Sequence, residues 1–108
     1  MSSARMPFAL ARASTELALS RYDRAIETAA VVRRAVEESA SRAYLKRYES
    51  MAALTEGKAL AALKRAPEAL PLLERAVALG SEIYDQETSV ALADARAALG
   101  GVRKSLAQ

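Results

Sequence analysis

Between Met51 and Leu79, apolar residues recur three and four positions apart on either side of a short break, Lys64-Arg65-Ala66-Pro67. Met51, Leu54, Leu60 and Leu63 precede the break, and Leu70, Leu73 and Val77 follow it. This spacing matches the 3.6-residue turn of a helix and not the alternation of a strand. The stretch therefore predicts two amphipathic helices folded back on each other. Pro67 suits the first helical position, where its missing N–H would have no partner anyway. Gly57, Ala69 and Ala76 carry little or no side chain, so the two backbones can come closest at these residues.

The chain has 108 residues and reads as a single domain, 1–108, long enough to bury a core without cross-links. It contains no cysteine, which excludes disulfides and thiolate chemistry. It contains no histidine, which removes the commonest metal ligand and the commonest general base near neutral pH. Against 13 acidic residues stand 16 Lys and Arg, with the signs interspersed, as on a solvated helical surface more than on a nucleic-acid patch. No apolar run approaches the roughly 20 residues of a membrane span. The opening MSSARMPFALARAS lacks the apolar centre and cleavage site of a secretory signal. A cytoplasmic protein is expected. The four glycines and three prolines sit mostly where helices could begin or end, and the fold class expected is all-α.

Taken in order, Pro7 opens a first helix running to Leu19, with Phe8, Ala11, Leu17 and Leu19 available for burial. Asp23 is placed as the N-cap of a second helix, Arg24 to Glu38, whose apolar face is Ala25, Ile26, Ala29, Val32 and Val36. A third helix runs from Arg42 to Leu63, with Tyr44, Tyr48, Met51, Thr55 and Ala59 on one stripe. A fourth spans Pro67 to Leu79 and stops at Gly80, with Pro71 bending rather than breaking it. A fifth begins at Glu82 or Asp85 and ends at Gly100-Gly101; the last seven residues start a sixth helix or hang free.

Comparison of the chain with itself reveals a repeat. SRYDRAIETAAVVRRAV aligns with KRAPEALPLLERAVAL at an offset of 44 residues, Ala25 falling on Ala69, Ile26 on Leu70, Ala29 on Leu73 and Val32 on Ala76. LADARAALGGVRK suggests a third copy, with Gly100 corresponding to Lys64 and Ser20. Gly57, Leu60, Ala69, Leu73 and Ala76, together with the phrase ALPLLERAVAL, resemble the tetratricopeptide repeat, a helix–turn–helix unit of about 34 residues. The spacing is closer to the longer variety found in kinesin light chains and many bacterial regulators. Ser50 to Leu79 carries the best match. Elsewhere the chain departs from the family: Glu56 and Arg12 stand where Leu is usual, Ala53 and Ala9 where Trp is usual, Glu16 where Tyr is usual, and Ser81 replaces the closing Pro. The resemblance implies a short α-solenoid of five to six helices. Repeat 1 would span about 7–40, repeat 2 about 42–80 and a partial repeat 3 about 82–108.

It also implies a non-catalytic module that binds a protein or peptide partner in a groove lined by the first helix of each repeat. By position those residues are Leu10, Ser14 and Leu17, then Leu54, Lys58 and Ala61, then Val90, Asp94 and Ala97. The alternative is that the same apolar residues pack between helices, and that the chain is a structural or oligomerising segment of a larger bacterial regulator, a kinase or a transcription factor. Two and a half repeats leave the last helix uncovered: either it caps the stack, or two chains pair end to end, or the chain is part of a longer repeat array; of these a homo-oligomer through the C-terminal end is expected. Tyr44 and Tyr48 read as packing before they read as a ligand ledge. The basic pairs Arg33-Arg34 and Lys46-Arg47 have Glu37, Glu38 and Glu49 at helix-pairing distance, which argues against nucleic acid. Glu37/Glu38 and Glu82/Asp85 are the candidate acid pairs, with no histidine, cysteine or Gly-rich loop beside them. No enzyme, cofactor, metal or membrane partner is expected.

Overall fold

The connections between helices determine how the chain stacks. The structure, a computed structural model, describes residues 1–83 and 89–108. Among them run five α-helices, α1 Met6–Ala18, α2 Tyr22–Glu37, α3 Lys46–Ala62, α4 Ala66–Ile83 and α5 Val90–Ala107, with a 3₁₀ turn at Arg42–Tyr44. Among the described residues there is no strand. The fold is all-α, as expected, with helix hairpins stacked side by side. Each helix packs against its neighbour in sequence, and α3 also touches α1 and α5.

Three residues join α1 to α2 and three join α3 to α4, and the two joints share their closing bonds. Ser20 and Lys64 both adopt a left-handed backbone, φ 59° and 63°. The Ser20 N–H donates to the Leu17 carbonyl and the Arg21 N–H to that of Glu16; Lys64 and Arg65 repeat this on Ala61 and Leu60. Two such bonds closing the carbonyls of a helix end make a Schellman motif, here with Ser or Lys where glycine would be easiest. Both bonds recur at the 44-residue offset of the sequence repeat.

The third copy does not repeat it. Gly100 and Gly101 lie inside α5, which runs on to Ala107, so that among the described residues there is no sixth helix. Gly80 likewise lies inside α4, buried beside Leu79. A glycine costs a helix interior only about 1 kcal/mol relative to alanine, less than is gained by burying Val102 against Leu60, Ala69 and Leu73. A Cβ at Gly100 or Gly101 would meet nothing within 4 Å. Gly100→Ala and Gly101→Ala are each expected to raise stability by about 1 kcal/mol, read as a higher thermal midpoint, with the pair additive.

Helix starts also shift. The second helix starts at Tyr22, because Arg21 closes the turn and caps α2 at once; Asp23 lies in the first turn and not at the cap. There its charge still faces the positive end of the helix. The third helix begins at Lys46 and not at Arg42, leaving Tyr44 on the 3₁₀ turn and off the helical stripe. For the fifth helix Ser89 is the cap, its Oγ accepting from the Leu92 N–H at 3.0 Å. Glu82 belongs to α4, and Asp85 lies outside the described residues.

The face that α1 buries is Met6, Leu10, Ala13 and Glu16; Phe8, Ala11 and Leu19 point outward. The expected face was wrong because an acid falls on the true one. Glu16 is tolerated there because the Thr28 hydroxyl donates to it at 2.7 Å. Helix two buries Ala25, Ala29, Val32 and Val36 and half-buries Ile26, as expected. Met6, Leu10, Val32, Val36 and Ala52 form one cluster; Leu60, Ala66, Ala69, Leu73, Leu99 and Val102 form another. Gly57 lies at the closest approach of α3 and α4: a Cβ there would be 2.7 Å from Leu73 Cγ and 3.6 Å from the Ala69 carbonyl oxygen.

Candidate interaction surfaces

The first helices of the stack are α1, α3 and α5, and the expected groove residues divide among them by burial. Leu10 is only 2% exposed and belongs to the core with Val32 and Ala52, so it does not line an open surface. Ser14 is exposed and Leu17 half-buried. Leu54 and Ala61 are half-buried and lean on the core. Ala97 is exposed, and Val90, the first residue of α5, is 82% exposed.

Two of the expected residues meet directly. The Lys58 ammonium lies 2.9 and 3.2 Å from the two carboxylate oxygens of Asp94, tying α3 to α5. Lys58 and Ala61 also line a cleft of about 360 Å³ with Lys64, Ala98, Gly101 and Ser105. It combines two ammonium groups with alanine methyls and glycine backbone, a lining suited to a peptide chain. Val90 and Ser14 stand apart from this cleft.

Charges at helix contacts were largely missed from sequence. Glu49 is 1% exposed and is held from two sides: Arg42 donates to both its oxygens at 2.9 and 3.0 Å, and Arg75 adds a bond of 2.9 Å. The hydrogen bonds from Arg42 hold the Glu49 carboxyl below the usual carboxylate range, the one from Arg75 adding to them against the opposing effect of burial. Glu56 takes two bonds from Arg33, at 2.9 and 3.3 Å, and these raise the Arg33 guanidinium. The expected Arg33–Glu37 pair is present at 3.0 Å. The expected pairing of Glu49 with Lys46-Arg47 is replaced: Lys46 pairs with Glu82 at 3.0 Å. The rule of three and four along a helix finds only partners on the same helix, and Arg75 and Arg33 come from other helices.

Tyr44 is 92% exposed, while Tyr48 packs on the Met6 cluster. The packing reading therefore holds for Tyr48 and fails for Tyr44. Both line a cavity of about 720 Å³ beside Lys46. Among the described residues, no group of three or more Asp or Glu could hold a metal ion, and no helix is long and apolar enough to cross a membrane.

No protein-family model matches the chain, and neither the curated proteins nor the solved structures include a match to it.

Proposed function

We propose that the chain is a non-catalytic interaction module of the tetratricopeptide-repeat kind, working in the cytoplasm, that holds a peptide or partner helix across its first helices. The observation that carries this reading is the joint repeated at 44 residues, Ser20-Arg21 on Lys64-Arg65, with the same two bonds at each. Hairpins repeated in this way stack into an extended surface, and such surfaces serve as binding faces. The site proposed is the Lys58–Asp94 pair and the cleft along Ala61, with Ala66, Ala98 and Val102 as its apolar lining.

The test is selection from a peptide library, followed by titration of the peptides found against Lys58→Glu and Ala61→Arg. Both positions are partly exposed, so the variants should fold, as circular dichroism would check. Binding is expected to weaken roughly tenfold or more, the loss typical of removing a central contact. Peptides that bind both variants as well as the parent would refute the assignment.

The second reading is the oligomerising segment of a larger bacterial regulator. What favours it is the 82% exposure of Val90 and the 42% exposure of Leu106, both apolar and both on α5. It requires self-association through the C-terminal end. Sedimentation of a clean 11.5 kDa species at low micromolar concentration would rule it out.

A further inference from the structure

The second hairpin shows what the outer face of the first is built to receive. On α3, the row facing the preceding unit is Glu49, Ala52 and Glu56. Ala52 is buried against Val32 and Val36, Glu56 takes two bonds from Arg33, and Glu49 takes two from Arg42. At the 44-residue offset this row falls on Arg5, Phe8 and Arg12 of the first unit. The same positions are now open, with Phe8 78% exposed and the Arg12 side chain 72% exposed. With Met1, Ala9, Thr28 and Val31 they line a cavity of about 430 Å³ that has two guanidinium groups and no carboxylate in its lining. The nearest acid, Glu16, meets Arg12 only at 3.6 Å and is already engaged by Thr28.

The charges are therefore reversed while the geometry is kept. We propose that this face of α1 docks an acidic amphipathic helix of another protein, lying on α1 as α2 and its following turn lie on α3. Carboxylates of that helix meet Arg12 and Arg5, and small side chains sit over Phe8, whose ring fills the space that Val32 and Val36 fill over Ala52. A second copy of this chain fits poorly. A twofold pairing would set Arg5 and Arg12 against themselves, and an α2-like surface would bring Arg33 onto Arg12. Like charges in a contact oppose association. This surface is separate from the cleft at Lys58, and neither proposal depends on the other.

The probe is a synthetic peptide of residues 22–44 carrying Arg33→Glu and Arg42→Glu. It is held helical by a lactam bridge on its outward side, checked by circular dichroism, and compared with the same bridged peptide of parent sequence. The charge-swapped peptide should bind the full chain roughly tenfold more tightly than the parent peptide, with an affinity that falls as salt rises. Arg12→Glu in the chain leaves each peptide one like-charge and one opposite-charge contact and should erase that preference, and amide shifts should centre on Phe8, Arg12 and Val31. Equal affinities for the parent chain, a preference that Arg12→Glu leaves unchanged, a helical peptide that fails to bind, or shifts centred elsewhere would each overturn the proposal. So would a dimer of the chain that Phe8→Glu dissolves, since that would give the face to a second copy.

Discussion

Gly57→Val is expected to cost about 2–3 kcal/mol, because inserting side-chain atoms into a closed helix contact forces neighbours off their rotamers. A Cβ at this position lies 2.7 Å from both Cγ and Cδ2 of Leu73, and Leu73 is fully buried. For a domain of this size the thermal midpoint should fall by about 10 °C or more. The chain itself supplies the compensated version. At the 44-residue offset, Gly57 and Leu73 correspond to Ala13 and Ala29, both 0% exposed. One hairpin joins glycine to leucine; the other joins alanine to alanine. Leu73→Ala alone leaves a cavity and should cost about 2–5 kcal/mol. Combined with Gly57→Ala it recreates the first hairpin's pair, so the double variant should be more stable than the sum of the singles by about 1–2 kcal/mol. Urea denaturation of the four proteins gives the coupling directly. Strict additivity would mean that this contact does not set the distance between α3 and α4.

The Gly57 contact and the two joints were legible in the sequence because their causes are local. Pro67 and the polar run before it force a turn, and the same pattern 44 residues earlier identifies the other one. Glycine was the less reliable guide. At Gly100 and Gly101 the local preference for a stop is outweighed by Val102 further along the helix, and Gly80 is itself buried beside Leu79 within α4. At Ser20 and Lys64 the chain turns left-handed without glycine at all. The buried acids were illegible for a different reason. Glu49 finds Arg75 and Glu56 finds Arg33 across 26 and 23 residues, distances at which no helical spacing marks a partner. The same holds for the candidate cleft. Lys58 and Asp94 were each placed on a first helix from the repeat, but only the packing of α5 shows that they bond to each other across 36 residues. The outer face of α1 was missed because Glu16 broke the apolar stripe that identifies the inner one.

Glu49 carries the second large effect, and it depends on pH. Its side chain is 1% exposed and accepts from two guanidinium groups. Removing one partner of a buried ion pair costs up to about 3–5 kcal/mol when the other stays buried. Here Arg42 and Arg75 have side chains 44% and 47% exposed, so water can take over much of what they lose, and Glu49→Ala should cost about 2 kcal/mol. The acid dependence follows from the direction of the shift. The hydrogen bonds from Arg42 hold the folded-state carboxyl below its ordinary value. The stability it contributes is therefore fully present above the unfolded pKa, about 4.3, and is lost as pH falls through the lower, folded value. Glu68, lowered by its own Arg65, adds a smaller exposed contribution of the same sign. Glu49→Gln keeps the shape and removes the titration. Urea midpoints measured from pH 7 to pH 3 should show the parent well above Glu49→Gln near neutrality and the two curves converging in acid. The variant should keep only the shallower slope that Glu68 and the other carboxylates supply. Parallel curves over that range would mean that the buried carboxylate is not what couples this fold to pH.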